Sequence, residues 1–186
     1  MEFQEVLKRR RSIRTYKPDA VPAEAIEKIK TAVRLAPTAC NLQPFKVFFV
    51  TNQELKDKIC KIYKASWLSA APAIAVVAGN YAECWKRLEG DPIADVDCAI
   101  VMEHITLTAA DCGLGTCWIC AFPRAEMDAA FGLKSPWKTV AITPVGYAER
   151  QPQERPCKSA EELFEGLMHC ERIQVGELQS FQLDPR

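Results

Sequence analysis

The sequence predicts one domain of mixed helices and strands around a single core. Three observations carry that reading. The chain has 186 residues, 48% of them hydrophobic, which is enough for a substantial core. Apolar residues recur at helical spacing in several stretches, as in Ala25, Ile26, Ile29, Ala32, Val33 and Ala36. Between them stand short unbroken apolar runs, such as Ala73 to Ala78, of the length of buried strands. No repeat, low-complexity segment or linker interrupts the pattern.

Each element follows in order. Phe3, Val6 and Leu7 would pin one face of a short helix to the core, with Arg9-Arg10-Arg11-Ser12-Ile13-Arg14 at its end. A helix starts after Val21-Pro22 and stops at Pro37, which cannot continue it. The loop Ala36 to Phe45 holds two prolines and the amides of Asn41 and Gln43. Phe45 to Val50 reads as a buried strand, and Asn52 as the cap of a helix bearing Leu55, Ile59 and Ile62. Trp67 to Pro72 leads into the strand Ala73 to Ala78, stopped by Gly79-Asn80. Tyr81 to Asp91 is polar with Trp85 in its middle, a surface excursion expected near a pocket mouth. A long helix from Ile93 to Cys112 carries Val96, Ile100, Val101, Ile105, Thr108 and Ala109. Such a broad apolar face suits a central helix or a subunit interface. Gly113 and Gly115 permit a tight turn and a close backbone approach before a further strand. Pro123 to Phe131 reads as a short helix closed by Gly132, and Thr139 to Tyr147 as a strand. Arg150 to Lys158 is extended and basic. Ser159 and Glu162 form a capping box for a helix with Leu163, Phe164 and Leu167. The domain is expected to end at residue 168, with 169–186 a tail or an arm laid on a partner.

Charge narrows the function classes. The 24 basic residues are balanced by 24 acidic ones, so the positive charge at Arg9 to Arg14 is local. That argues against a nucleic-acid binder, which usually carries a basic face. No apolar run approaches the length of a membrane helix, and the N-terminus lacks the core of a secretory signal. Nine cysteines, an odd number without regular spacing, fit a reduced, cytoplasmic protein.

Arginine forks with a hydroxyl beside them suit a phosphate group held at several oxygens, although a solvated basic face has the same composition. The amide-bearing loop can present hydrogen bonds to a flat polar heterocycle, or serve as ordinary turn chemistry. Cys117-Trp118-Ile119-Cys120 resembles a redox motif, but its cysteines are expected inside a strand, facing opposite sides. No second pair completes a zinc site. Gly113-Leu114-Gly115 follows a helix and lacks a third glycine, so it is no dinucleotide fingerprint. His104 has no partner motif and receives no role. No Ser–His–Asp, Cys–His or paired-carboxylate constellation is present, and no catalytic side chain is assigned.

Taken in order, these pieces resemble the nitroreductase family of FMN-dependent oxidoreductases. The matching residues are Arg10 to Arg14, Ala36-Pro37-Thr38, Asn41 to Phe45, Ala71 to Ile74, Gly113 to Ile119, and Val145-Gly146-Tyr147. The resemblance runs from about Phe3 to about Leu167. It implies an α+β fold, a three-layer α/β/α sandwich with a central, mostly antiparallel sheet. It also implies an intertwined homodimer with FMN at the subunit interface. By position, Arg10, Arg11, Ser12 and Arg14 would hold the FMN phosphate and the nearby ribityl chain and ring edge. Pro37, Thr38, Ala39 and Asn41 would reach the flavin of the other subunit. Trp118, Ile119 and Cys120 would run past the ring's central edge with their backbone N–H groups. Arg155 and Lys158 would close on the phosphate. Three departures stand out: Cys157 where a basic residue is common, Phe45 for a tryptophan, and Thr38 for a serine.

The implied activity is a two-step exchange. NAD(P)H gives a hydride to FMN, and a nitroaromatic, quinone or similar acceptor then takes the electrons. Relatives that dehalogenate aromatics or break down flavin share the cofactor motifs and differ mainly in the lid, here Tyr81 to Asp91. A flavin-binding sensor with little turnover, or a basic helix on nucleic acid, are the readings outside this enzymology.

Overall fold

Among the described residues of the computed structural model, four strands form one antiparallel sheet in the order β1-β2-β4-β3. They are β1 (Phe45–Val50), β2 (Ala73–Asn80), β3 (Gly115–Thr116) and β4 (Trp137–Gly146). The structure describes residues 1–153 and 155–164. Two compact units divide the chain, Met1–Pro152 and Gln153–Arg186.

In β2 every residue is buried, so it takes side chains to both faces of the sheet. Ala73, Ala75 and Val77 pack with Ile29 and Val33 of α2 (Ala23–Leu35) and Val101, Met102 and Ile105 of α4 (Ala94–Asp111). Ile74 and Val76 turn the other way, to Ile59 of α3 (Gln53–Tyr63) and Met127 of α5 (Arg124–Ala130). The result is helix on sheet on helix, the three-layer sandwich expected from the resemblance. No helix among the described residues is long and apolar enough to cross a membrane.

Three local expectations need correction. β2 does not stop before Gly79-Asn80; Gly79 pairs with Phe45 and Lys138 inside the sheet. A Cβ there would lie 3.1 Å from Cys98 Sγ and 3.2 Å from Ala94 Cβ, so the glycine lets α4 sit close on the strand. Among the described residues β1 is an edge strand, and only its Val50 is fully buried. In α1 (Phe3–Arg9) Val6 alone is buried; Phe3 is 61% exposed and Leu7 also faces outward.

The caps agree with the sequence. Asn52 Oδ1 accepts the Leu55 N–H at 3.0 Å, and Ala36 is extended ahead of Pro37. In the second unit Ser159 and Glu162 make both bonds of a capping box around α6 (Ala160–Leu163). Leu167 and the expected tail, 169–186, lie outside the described residues.

Candidate cofactor site

The arginine cluster is docked by the residues that follow it. Ser12 bridges to Thr116 of β3, and the Ile13 N–H donates to the Thr116 carbonyl at 2.8 Å. Tyr16 bridges to Ala148, and its hydroxyl donates to the Ile13 carbonyl at 2.7 Å. Residues 12–17 thus lie extended along the sheet edge, where alternation turns Ile13 inward and leaves Ser12 and Arg14 exposed. Gly115 permits this approach: a Cβ on it would fall 2.5 Å from Ile13 Cγ1 and 2.9 Å from Ile13 Cβ.

Arg10, Arg11 and Ser12 come together with Thr116 and Trp118 in one cleft, which Glu103 and Thr106 of α4 also line. It encloses about 240 Å³ of empty space, counting its open mouth. Glu103 and Thr106 were not singled out from sequence. Their signal was a polar pair one turn apart on the middle of α4: Thr106 Oγ1 donates to Glu103 Oε2 at 3.0 Å. Arg14 is outside this lining but acts on Cys117. Burial pushes the Cys117 thiol above its ordinary range, and Arg14 and a hydrogen bond with Ser12 pull it partly back.

Residues 118–120 run beside β4, with Ile119 and Ile142 exchanging N–H···O bonds of 2.9 Å in both directions. Ile119 therefore spends its N–H on the sheet and cannot offer it to a ligand, contrary to expectation. Alternation aims the N–H groups of Trp118 and Cys120 away from β4. The Trp118 ring is 39% exposed, and its Nε1–H donates to Cys120 Sγ at 3.1 Å. Cys117 is buried and Cys120 exposed, and both thiols are free, as are all the described cysteines. A thiol reagent at pH 8 should modify Cys40, Cys120 and Cys157 in the folded protein. Cys98, whose thiol burial pushes up to about 12, and Cys117 should react only on unfolding. Mass mapping of the labelled peptides checks this, and early labelling of Cys117 would contradict the burial described.

The amide loop is tightly built. Cys40, Asn41 and Gln43 have φ of 51°, 53° and 50°, left-handed values that cost roughly 1–2 kcal/mol for a residue with a Cβ. Several bonds hold that shape. The Gln43 N–H donates to Thr38 Oγ1, Gln43 Nε2 to Asn41 Oδ1, and the Ala39 N–H to Asp97 Oδ1. The two amides are thus partly spent on each other, leaving Asn41 as a donor and Gln43 Oε1 as an acceptor. Asp97 belongs to α4, nine residues before Thr106, or roughly 13 Å along the axis. Pro37, Thr38, Ala39 and Asn41 are therefore not brought into the arginine cleft.

The segment 81–91 is anchored at that same end of α4. The Tyr81 hydroxyl donates to Asp95 Oδ1 at 2.7 Å, and Arg124 donates to both, at 3.2 Å each. Trp85 is partly exposed beside the buried Cys84. Arg155 and Lys158 are exposed residues of the second unit, as is Cys157.

The nitroreductase family model matches residues 7–88 and 63–147. The chain belongs to the nitroreductase family. A candidate NADH dehydrogenase/NAD(P)H nitroreductase of Methanothermobacter thermautotrophicus is 32% identical over 161 residues, covering 83% of this chain and 82% of that one. A nitroreductase family protein of Clostridium difficile 630 has a TM-score of 0.81 at 29% identity, covering 90% of this chain and 99% of the other. The FMN reductase [NAD(P)H] of Bacillus subtilis is 29% identical over 121 residues, 57% of this chain and 49% of that protein. Among the described residues no group of His, Cys, Asp and Glu could hold a metal.

Proposed function

We propose that this chain is an FMN-dependent oxidoreductase that oxidises NAD(P)H and reduces an electron-poor acceptor such as a nitroaromatic or quinone. The observation that carries this is the cleft in which Arg10, Arg11 and Ser12 meet Trp118. The residues fit a phosphate monoester bearing a flat ring. Guanidinium forks and a hydroxyl match phosphate oxygens, and the neighbouring backbone edge offers N–H donors. The names of the relatives, NAD(P)H nitroreductase and FMN reductase, point the same way.

FMN, when bound, supplies the redox chemistry, accepting hydride from NAD(P)H and passing electrons on. The chain's own part is to bind and orient. Arg10, Arg11 and Ser12 would hold the phosphate, with Arg14 near the ribityl chain and ring edge. The Trp118 and Cys120 N–H groups would face the ring, where fixed donors favour negative charge. Pro37, Thr38, Ala39 and Asn41 sit at another station of α4, which supports a second copy of the chain supplying them to each site. The exposed Val96 on α4 belongs to the apolar face such a homodimer would cover. We assign residues 1–168 to this flavin-binding domain and the reaction to the cytoplasm.

The test is the visible spectrum of the purified protein after FMN addition and gel filtration. Flavin bands that stay with a dimer-sized fraction and bleach with NAD(P)H are the expected result. A colourless protein that cannot retain FMN would overturn the proposal.

A further inference from the structure

We infer that Asp97 is a positioning residue, holding the Pro37–Gln43 loop in its ligand-receiving shape through the N–H of Ala39. This rests on the flavoenzyme reading above and adds to it a residue outside the expected binding set.

Asp97 stands in the first turn of α4 and is 1% exposed. Its Oδ1 takes the Ala39 N–H at 3.0 Å, while its Oδ2 is buried with no hydrogen-bond partner. A carboxylate oxygen left without a donor weakens a fold. The positive end of α4 offsets part of that cost, yet stability alone would favour a neutral side chain at this position. What the carboxylate supplies is a charge-assisted acceptor for one particular N–H, a stronger bond than an amide could make. That N–H opens the turn whose next residues, Cys40 and Asn41, are both left-handed, with Gln43 left-handed just beyond. The Thr38–Gln43 and Asn41–Gln43 bonds are internal to the loop and travel with it. At its far end Pro44 accepts the Asn80 N–H of β2 at 2.8 Å. The Asp97 bond is the matching tie at the near end, from the loop to the central helix. With one end loose, the strained residues could relax and the flavin-facing donors would be lost.

Three variants test this: Asp97→Ala removes the acceptor, Asp97→Asn keeps a neutral one, and Ala39→Pro removes the donor. Proline is compatible with position 39, because Thr38 is extended (φ −135°, ψ 157°) and residue 39 opens a helical turn. FMN dissociation constants by fluorescence quenching, and melting temperatures of the FMN-free proteins, are the readouts. Asp97→Ala and Ala39→Pro should weaken FMN binding tenfold or more. Asp97→Asn should fall between them and wild type, with a melting temperature equal to or above wild type. Affinity lost without stability is the signature of positioning. Wild-type affinity in Asp97→Ala or Ala39→Pro would overturn the inference and leave the flavoenzyme reading standing. So would an Asp97→Asn protein whose melting temperature and affinity fall together. If Asp97→Ala does not fold, the other two variants decide. A wild-type protein that fails to bind FMN would overturn both readings.

Discussion

Replacing Arg10 and Arg11 together by alanine will weaken FMN binding about 100-fold or more, at a modest cost to stability. The two side chains line the same cleft, and Arg10 is exposed in the chain. A hydrogen bond to a charged group contributes roughly 1.5–3 kcal/mol, or about ten- to hundredfold in affinity for each arginine. The bonds share one phosphate, so the pair should fall short of the product. Arg10 is exposed and should contribute no more than about 0.5 kcal/mol of lost stability, while Arg11, half-buried and donating to the Arg10 carbonyl at 3.0 Å, should add roughly 0.5–1.5 kcal/mol. FMN titration at two ionic strengths is the check. Wild-type affinity should fall with salt, and that dependence should flatten in the double variant. Lysine at both positions should recover only part of the loss, because an ammonium keeps the charge but not the planar fork. Unchanged affinity in the alanine variant would remove the arginines from the phosphate site.

Gly115→Ala should damage stability and binding together. Its new Cβ would meet Ile13 at 2.5 Å, below any tolerated contact, and Ile13 is itself fixed by Thr116 and Tyr16. Neither side is a flexible side-chain end, so the 12–17 segment must move away from β3. Overpacking of this kind costs about 1–3 kcal/mol. Because Ser12 and the arginines ride on the same segment, FMN affinity should drop with it. The control is Gly113→Ala, where a Cβ meets nothing within 4 Å and only the φ of 76° is strained. That variant should lose about 1 kcal/mol and keep its affinity. Urea unfolding with FMN titration on both variants checks the pair, and equal effects would refute the packing argument.

What the sequence made legible were features written in consecutive residues. The Phe45–Val50 strand, the long helix after Ile93 and the Asn52 cap each depend on a local pattern, and each stands where that pattern put it. What escaped depends on partners far away in the chain. Gly79 reads as a strand stop until Ala94 and Cys98 are seen to fill the space beside it. Phe3 and Leu7 have a perfect helical period, yet only Val6 is buried, since a period says which residues share a face and not how much of it is covered. Within the site, Arg10 and Arg11 announced themselves by charge, whereas Glu103 and Thr106 were two ordinary polar residues among several on α4. Asp97 is one of two acids in the first turn of α4, and nothing next to it in the sequence sets it apart. Only the fold reveals that it reaches a loop 58 residues earlier.

The bonds between Ile119 and Ile142 have a bearing on how such a protein can change over generations. They fix the direction of the two flanking N–H groups through the backbone alone, so the identities of residues 118 and 120 scarcely matter to that direction. Almost any replacement there, proline excepted, would keep both donors while altering what a visiting molecule touches. On the proposed function, catalytic support and substrate preference would thereby rest on different parts of the same two residues. Mutation can explore new acceptors at this edge without first giving up the chemistry.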